Sequence, residues 1–136
     1  MHHRTHEKIA VHLCGRPVEL GARRARLTME ATAEMAADSR DLVHGGFTFG
    51  LTDHAAMLAV NEPTVVLASA QVKFLGPVVT GDRVEAEASV ERSEGRKRWV
   101  TVVVPRDGAP VLEGEFLAIV PATHILDVSP SKEPRR

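Results

Sequence analysis

The chain has no tyrosine, one tryptophan, four phenylalanines and one cysteine in 136 residues. So few aromatic rings argue against a stacking platform for single-stranded nucleic acid. The single cysteine, Cys14, can form no intrachain disulfide, which fits a reducing compartment and a cytoplasmic location. Cys14 reads as a small packing residue in preference to a catalytic thiol. No run approaches the roughly 20 apolar residues of a membrane span, and none is expected. The first residues, MHHRTHEK, lack the apolar core of a secretory signal. His2, His3 and His6 read as part of a flexible, solvated end, not as metal ligands. A net charge of −1 offers no field for nucleic acid or an anionic membrane. No CxxC, HExxH, acidic calcium loop or phosphate-binding glycine loop occurs, so neither a metal nor a nucleotide cofactor is expected.

What remains is a 43% apolar, 26% charged chain, the balance of one soluble domain. Its organising stretch is HGGFTFGLTDHAAMLAVN, His44 to Asn61. No proline interrupts it, and alanine, leucine and methionine favour a helix. Apolar side chains fall on too many faces for a surface helix, so this one is expected to be buried nearly all round. Asp53 then sits mid-helix in apolar company. A buried carboxylate without donors costs several kcal/mol in order of magnitude, unless it is protonated or faces a cleft.

Around this helix the pattern is that of strands. Residues 8–20 are punctuated by Gly15 and Pro17, and the first piece fits helix or strand alike. From Ala25 apolar and polar residues alternate, which predicts a half-buried strand over 25–31. Residues 36–43 form a polar connector. After Glu62-Pro63, strands are expected over Thr64–Phe74, Arg83–Glu91, Arg98–Pro105 and Val111–Val120, joined largely by tight turns such as Asp107-Gly108. Short turns imply antiparallel pairing. The fold class is therefore α+β, one curved antiparallel sheet wrapped around one long central helix. Such a sheet cannot enclose the helix completely, so a second copy of the chain is expected to cover a flank or an edge. The domain is expected to span 22–121, with an N-terminal segment 1–21 before it and a tail 122–136, partly disordered, after it.

These residues resemble the hotdog-fold acyl-CoA thioesterases of the phenylacetate-pathway (PaaI-like) type. The likeness spans roughly residues 22–120. It is sharpest at His44-Gly45-Gly46 with Asp53 nine positions after the histidine. VKFLGPVVTGDRVEAEASV (72–90) and the turn Gly95-Arg96-Lys97 extend it. The resemblance implies a homodimer joined edge to edge, often a dimer of dimers. It implies an acyl-CoA substrate lying between subunits, with coenzyme A as part of that substrate. The thioester carbonyl would meet one subunit's helix N-terminus and the carboxylate would come from the partner's helix.

The chemistry of such a site is physically coherent. Hydrolysis builds negative charge on the carbonyl oxygen. The first N–H groups of a helix have no intrahelical partner and sit at the positive end of its dipole. Gly45 and Gly46, with no side chain in the way, suit an oxyanion hole; the alternative is that they only let the helix pack closely. His44 would orient the loop or lend a second polar contact. Asp53 would act as nucleophile, through a mixed anhydride, or as general base on water. His54 points about 100° away from Asp53 on a helix and reads as a packed histidine.

Two positions depart from the family pattern. Asp38 stands where the family usually has Asn or Gln six residues before the histidine. Gly76 stands where a basic residue near the CoA phosphates is common, and Lys73, Arg96, Lys97 and Arg98 are the alternative sources of charge. Ser69 and Gln71 are candidates for lining the substrate pocket. Asp38 keeps open a second reading, a CoA-thioester-binding or regulatory module without turnover. A hydratase or dehydratase of the same fold is a third, but the chain lacks the His-rich Pro segment of that pattern.

Overall fold

A computed structural model describes residues 1–128; the tail from Ser129 onward, expected to be disordered, lies outside the described residues. The elements run α1 (Val11–Cys14), β1 (Arg16–Gly21), β2 (Arg24–Glu30), a 3-10 turn at Ala33–Met35, α2 (Gly45–Val60), β3 (Val66–Phe74), β4 (Arg83–Glu94), β5 (Lys97–Val104), β6 (Leu112–Ile119) and a 3-10 turn at Ile125–Asp127. The six strands form one antiparallel sheet ordered β1-β2-β4-β5-β6-β3. The sheet curves around α2, as the alternation of small and large inward residues allows. Bulges between Pro17 and Glu19, Leu67 and Ser69, and Val90 and Arg92 add the local bend that a flat ladder lacks.

Helix α2 runs along the concave face. Thr48, Leu51, Thr52, His54, Ala55, Ala56, Met57, Leu58 and Ala59 are all buried, so the expectation of a helix enclosed on most faces holds. Inward residues of β2 (Leu27, Met29), β4 (Ala86, Ala88), β5 (Val100, Val102) and β6 (Phe116, Ala118) meet it. Phe49 of the helix stacks on Phe116 with ring centroids 5.7 Å apart. Full burial of such side chains contributes roughly 1.5–3 kcal/mol each. Small alanines on the helix let the strands approach, and Thr52, one of its three buried polar residues with Thr48 and His54, donates its hydroxyl to the Phe49 carbonyl at 2.7 Å.

Three features differ from the expectation. The undecided piece before Gly15 is the short helix α1, and Arg16–Gly21 pairs with β2, so the sheet begins before residue 22. Consecutive strands β3 and β4 do not pair: β3 crosses to the far edge beside β6, while β4 lies between β2 and β5. The third difference is a correction: the N-terminal residues are not a free solvated end. Asn61, in the left-handed conformation that closes α2, accepts from the Arg4 N–H at 2.8 Å and donates to the His2 carbonyl at 2.7 Å. Arg4 also pairs with Glu62 at 3.3 Å. One asparagine, needed to stop the helix, thereby ties the first residues to the helix C-terminus.

Strand β3 is an edge, bonded to β6 on one side only, and most of it is exposed. Gly114 lets it lie close. A Cβ there would stand 2.6 Å from the Val72 side chain and 2.7 Å from the Gln71 carbonyl oxygen. Gly114→Ala is therefore expected to destabilise the protein by about 1–3 kcal/mol through overpacking. Urea unfolding checks this, and an unchanged midpoint would show that β3 is free to shift.

Candidate functional site

The N-terminus of α2 is built by the loop before it. Residues 36–43 fold back on themselves through an Ala36–Val43 bridge, and the His44 N–H donates to the Met35 carbonyl at 2.9 Å. Asp38 is exposed at this turn, and its Oδ1 accepts the N–H groups of Arg40 (2.9 Å) and Leu42 (3.1 Å). An asparagine oxygen could accept the same two bonds. Asp38 thus keeps the loop-forming half of an Asn and lacks only its donor.

His44 caps the helix with an extended backbone and makes no side-chain capping bond. The Phe47 N–H returns to the His44 carbonyl at 3.0 Å, whereas neither the Gly45 nor the Gly46 N–H has a partner among the described residues. These two donors lie at the positive end of a 16-residue helix, an environment that favours negative charge. Side chains frame them. A Cβ on Gly45 would meet the Phe74 ring at 3.3 Å, and one on Gly46 would meet the His44 ring at 3.0 Å. Phe74, at the end of β3, and Leu75, Leu42 and Val79 of the adjoining loops are exposed apolar residues.

Asp53 lies two turns along the helix. The stripe Gly46, Gly50, Asp53 is the less covered side of its N-terminal half, and a Cβ on Gly50 would meet nothing within 4 Å. Asp53 Oδ1 is nevertheless buried and unpartnered. Burial pushes the carboxyl's pKa above its ordinary value. Eight residues at 1.5 Å separate Gly45 from Asp53 by about 12 Å along the axis. One carbonyl cannot touch both within a single chain.

His54 turns away from Asp53, as the helical angle requires. It is 1% exposed, and its Nδ1 stands 3.2 Å from the Cys14 carbonyl, which makes Nδ1 the protonated nitrogen; Nε2 has no partner. The rings of His6 and His3 stand 6.0 and 6.4 Å away. Burial, with smaller effects from His6 and His3, lowers its pKa to about 4.

The proposed substrate contacts are dispersed in one chain. Gln71 and Lys73 line a groove of about 810 Å³ on the sheet face away from α2, with Glu87, Glu113 and Glu115 beside them. Ser69, two residues earlier on the same exposed strand, shares that face by alternation. Arg96 and Lys97 occupy the β4–β5 turn, where Lys97 registers with Ile119 and Ile119 with Val66. That is the end of β3 opposite Phe74, about 26 Å from it. Arg98 donates to its own turn at Gly95 and Lys97. The structure therefore does not bring these residues to the helix N-terminus of their own chain. It does place a cation, Arg106, beside Gly76, where the sequence alone did not suggest one, and pairs it with Asp82 at 4.0 Å. Its Nη1 lies 3.6 Å from where a Gly76 Cβ would be, and its Nη2 bonds the Pro77 carbonyl. The missing side chain at Gly76 was the available signal.

The thioesterase superfamily model matches residues 41–108, half of the chain. An uncharacterized protein of Pyrococcus horikoshii has a crystal structure that superposes with a TM-score of 0.91 at 46% identity, covering 93% of this chain and 98% of that one. The phenylacetic acid degradation protein PaaI of Thermus thermophilus, in a variant form, superposes at 0.71 with 28% identity over 79% of this chain and 93% of its own. Among curated proteins, a methylthioribose-1-phosphate isomerase of Aquifex aeolicus is 44% identical over 85% of this chain but only 25% of its own length. A transcription factor FapR of Caldanaerobacter subterraneus is 28% identical over 75% of this chain and 50% of its own. The chain thus spans a quarter to a half of the curated relatives it matches. Among the described residues no helix is long and apolar enough to cross a membrane.

The buried His54 has a measurable consequence. Its folded pKa, about 4, lies below the ordinary 6.5, so the unfolded chain takes up the proton first. Its contribution to stability is full above pH 6.5, falls between 6.5 and 4 and levels off below, with a total on the order of 3 kcal/mol. Urea unfolding at pH 7 and pH 5 should show this slope, and a His54→Gln chain should show it flattened. Identical slopes would mean that His54 protonates without cost.

Proposed function

We propose, from the premise that this chain belongs to the thioesterase superfamily, that it is a hotdog acyl-CoA thioesterase. It would hydrolyse a small or medium acyl-CoA, aryl acyl groups included, to the free acid and coenzyme A. The observation that carries this reading is the pair of unpartnered donors at Gly45 and Gly46 together with the buried, unpartnered Asp53 oxygen on the same helix. Hydrolysis of a thioester needs both: a donor set where negative charge grows, and a group that attacks or delivers water.

Their separation of about 12 Å along one helix supports a site shared between two subunits. The donors of one subunit would face the Asp53 of its partner. The unpaired side of β3 is the edge along which two sheets can join, giving a homodimer and, from two such pairs, a dimer of dimers. In an antiparallel edge pairing, the partner's Arg96 and Lys97 come to the Phe74 end of β3. Together with Arg106 they would meet the CoA phosphates there. Asp53 would attack the carbonyl carbon, expel the CoA thiolate and leave an anhydride that water opens. Otherwise it would take a proton from the water that attacks directly. Its pKa, raised by burial, makes it a stronger base than a solvated aspartate. His44, lying over Gly46, would border the oxyanion, and Phe74 would keep water from it.

A second reading, a CoA-thioester-binding or regulatory module without turnover, is favoured by the relatives named as transcription factors. Release of free thiol from a panel of acyl-CoAs separates the two. Tight binding with no release would favour the module.

Mixing subunits tests the shared site. Gly46→Ala, whose Cβ would crowd the oxyanion donors, should lower kcat by about 10²–10³-fold. Asp53→Asn should lower it by about 10²–10⁴-fold, while leaving the fold as stable or more so at pH 7, because it removes a buried charge. Dimers reassembled from equal amounts of the two variants should recover about a quarter of wild-type activity, since half are hybrids with one intact site. No recovery would mean that each chain carries its own complete site.

A further inference from the structure

We propose that residues 2–6 are an acid-released strap. They close on the C-terminal half of α2 while His3, His6 and His54 are all neutral, and let go when one of these rings takes up a proton. The strap works in this way whether or not the chain turns over a thioester.

The polar groups around the His54 ring come from the chain before β1. The His6 ring stacks on it with centroids 6.0 Å apart, the His3 ring stands tilted at 6.4 Å, and the Cys14 carbonyl lies 3.2 Å from Nδ1. Thr5, next to His6, is buried, and its hydroxyl meets His6 Nδ1 at 2.8 Å. One turn and a half further along the chain, at the helix end, Asn61 accepts from the Arg4 N–H and donates to the His2 carbonyl. Arg4 and Glu62 form an exposed pair, which holds little by itself. His6 has left-handed backbone, φ +57°, a conformation that costs an L residue energy and has to be held by its contacts. Residues 2–6 are thus held by two bonds to one asparagine and by a cluster of three rings.

That cluster is built for neutral rings. His54 Nδ1 gives its proton to Cys14, and Nε2 of His54, like Nε2 of His3, is buried without a partner among the described residues. A proton added at either atom becomes a buried donor with nothing to receive it, beside two other imidazoles. No carboxylate is among the groups that act on the His54 ring. On α2, Asp53 leaves the helix about 100° away from it. Glu62, just past the helix, is engaged with Arg4, and His12 of α1 turns to Glu34 at 3.9 Å. Glu7, beside the strap, is exposed, and the strands present apolar residues to the helix. No group of three His, Cys, Asp or Glu side chains among the described residues is placed to hold a metal ion. Burial, and after it the neighbouring rings, lower the pKa of His54 to about 4 and that of His6 below its ordinary value. Once the strap opens, the rings meet water and protonate at the ordinary value. Acid therefore favours the open form, about tenfold per pH unit between 6.5 and 4 for His54 alone. The two bonds to Asn61 do not titrate and set how firmly the strap is closed at neutral pH.

Amide hydrogen exchange of the full-length chain tests the strap, read on residues 4–9 and corrected for the intrinsic rate at each pH. Protection there should fall about tenfold or more between pH 7.5 and 5.5, while residues 97–104 of β5 keep theirs. His54→Phe keeps a ring that takes no proton, and its fall should be several-fold smaller. Asn61→Gly tolerates the left-handed helix end and removes both bonds to the strap. It should lose protection of residues 4–9 already at pH 7.5. Its His54 ring, followed by NMR, should titrate closer to the ordinary value than in the wild type. This second variant leaves the histidines intact, so it decides the matter even if His54→Phe does not fold. Protection of residues 4–9 that ignores pH would overturn the proposal, as would an equal fall in a folded His54→Phe chain. A His54 titration unmoved in Asn61→Gly would overturn it too. None of these readouts requires turnover, so failure to hydrolyse acyl-CoA would sink the thioesterase reading and leave the strap standing.

Discussion

The N–H groups of Gly45 and Gly46 find nothing in their own chain to bond among the described residues, and the rest of the structure is arranged around that deficit. A helix end left so in open water would be satisfied by solvent. Here the body of the helix is sheathed by a six-stranded sheet, while its tip, with His44 and Gly46 exposed, is left open. The sheath is incomplete along Gly46, Gly50 and Asp53, and the β3 edge next to the tip is unpaired. The open tip, open stripe and open edge lie on connected parts of one molecule. A second copy that pairs along β3 can act on all three at once.

Asp53 is the counterpart of that deficit. A carboxylate taken from water with no donor on Oδ1 works against folding. Its pKa is raised, so the penalty is present when the group is ionised at neutral pH and is relieved as pH falls. His54, one residue on, has the opposite pH dependence, its neutral form being the one the fold favours. Two adjacent residues thus bias stability in opposite senses below neutrality.

Much of this was legible in the sequence because it depends on local pattern. The buried helix followed from apolar residues on every face, the β2 and β4 strands from strict alternation at Ala25–Ala31 and Val84–Val90, and the helix start from His44-Gly45-Gly46. What was not legible depends on long-range placement. The crossing of β3 to the far edge has no local signal, because the turn residues of Gly76 to Asp82 allow a crossing as readily as a hairpin. For the same reason Lys73, Arg96 and Lys97 could be named as candidates from charge but not assigned to a face or an end. The docked N-terminus was misread because its histidines look solvated until Asn61 is seen to bond His2 and Arg4. Arg106 was missed because it reaches Gly76 from a loop some thirty residues later.

The relatives carry this domain in chains two to four times the length it spans in them, so binding and turnover have to be weighed within the domain itself. A module that only holds a thioester gains from the helix tip, the apolar residues around it and cations for the phosphates. It gains nothing from a carboxylate kept from water beside the acyl group. Such a carboxylate would repel a developing oxyanion unless it were the group that attacks or takes the proton. Asp38 does not reverse this argument, because its Oδ1 is committed to two backbone N–H groups and it stands in solvent. Asp53 Oδ1, by contrast, is a buried carboxylate oxygen that bonds nothing. Its place on the open stripe of α2 is what makes the proposal of hydrolysis physically preferable to that of binding alone.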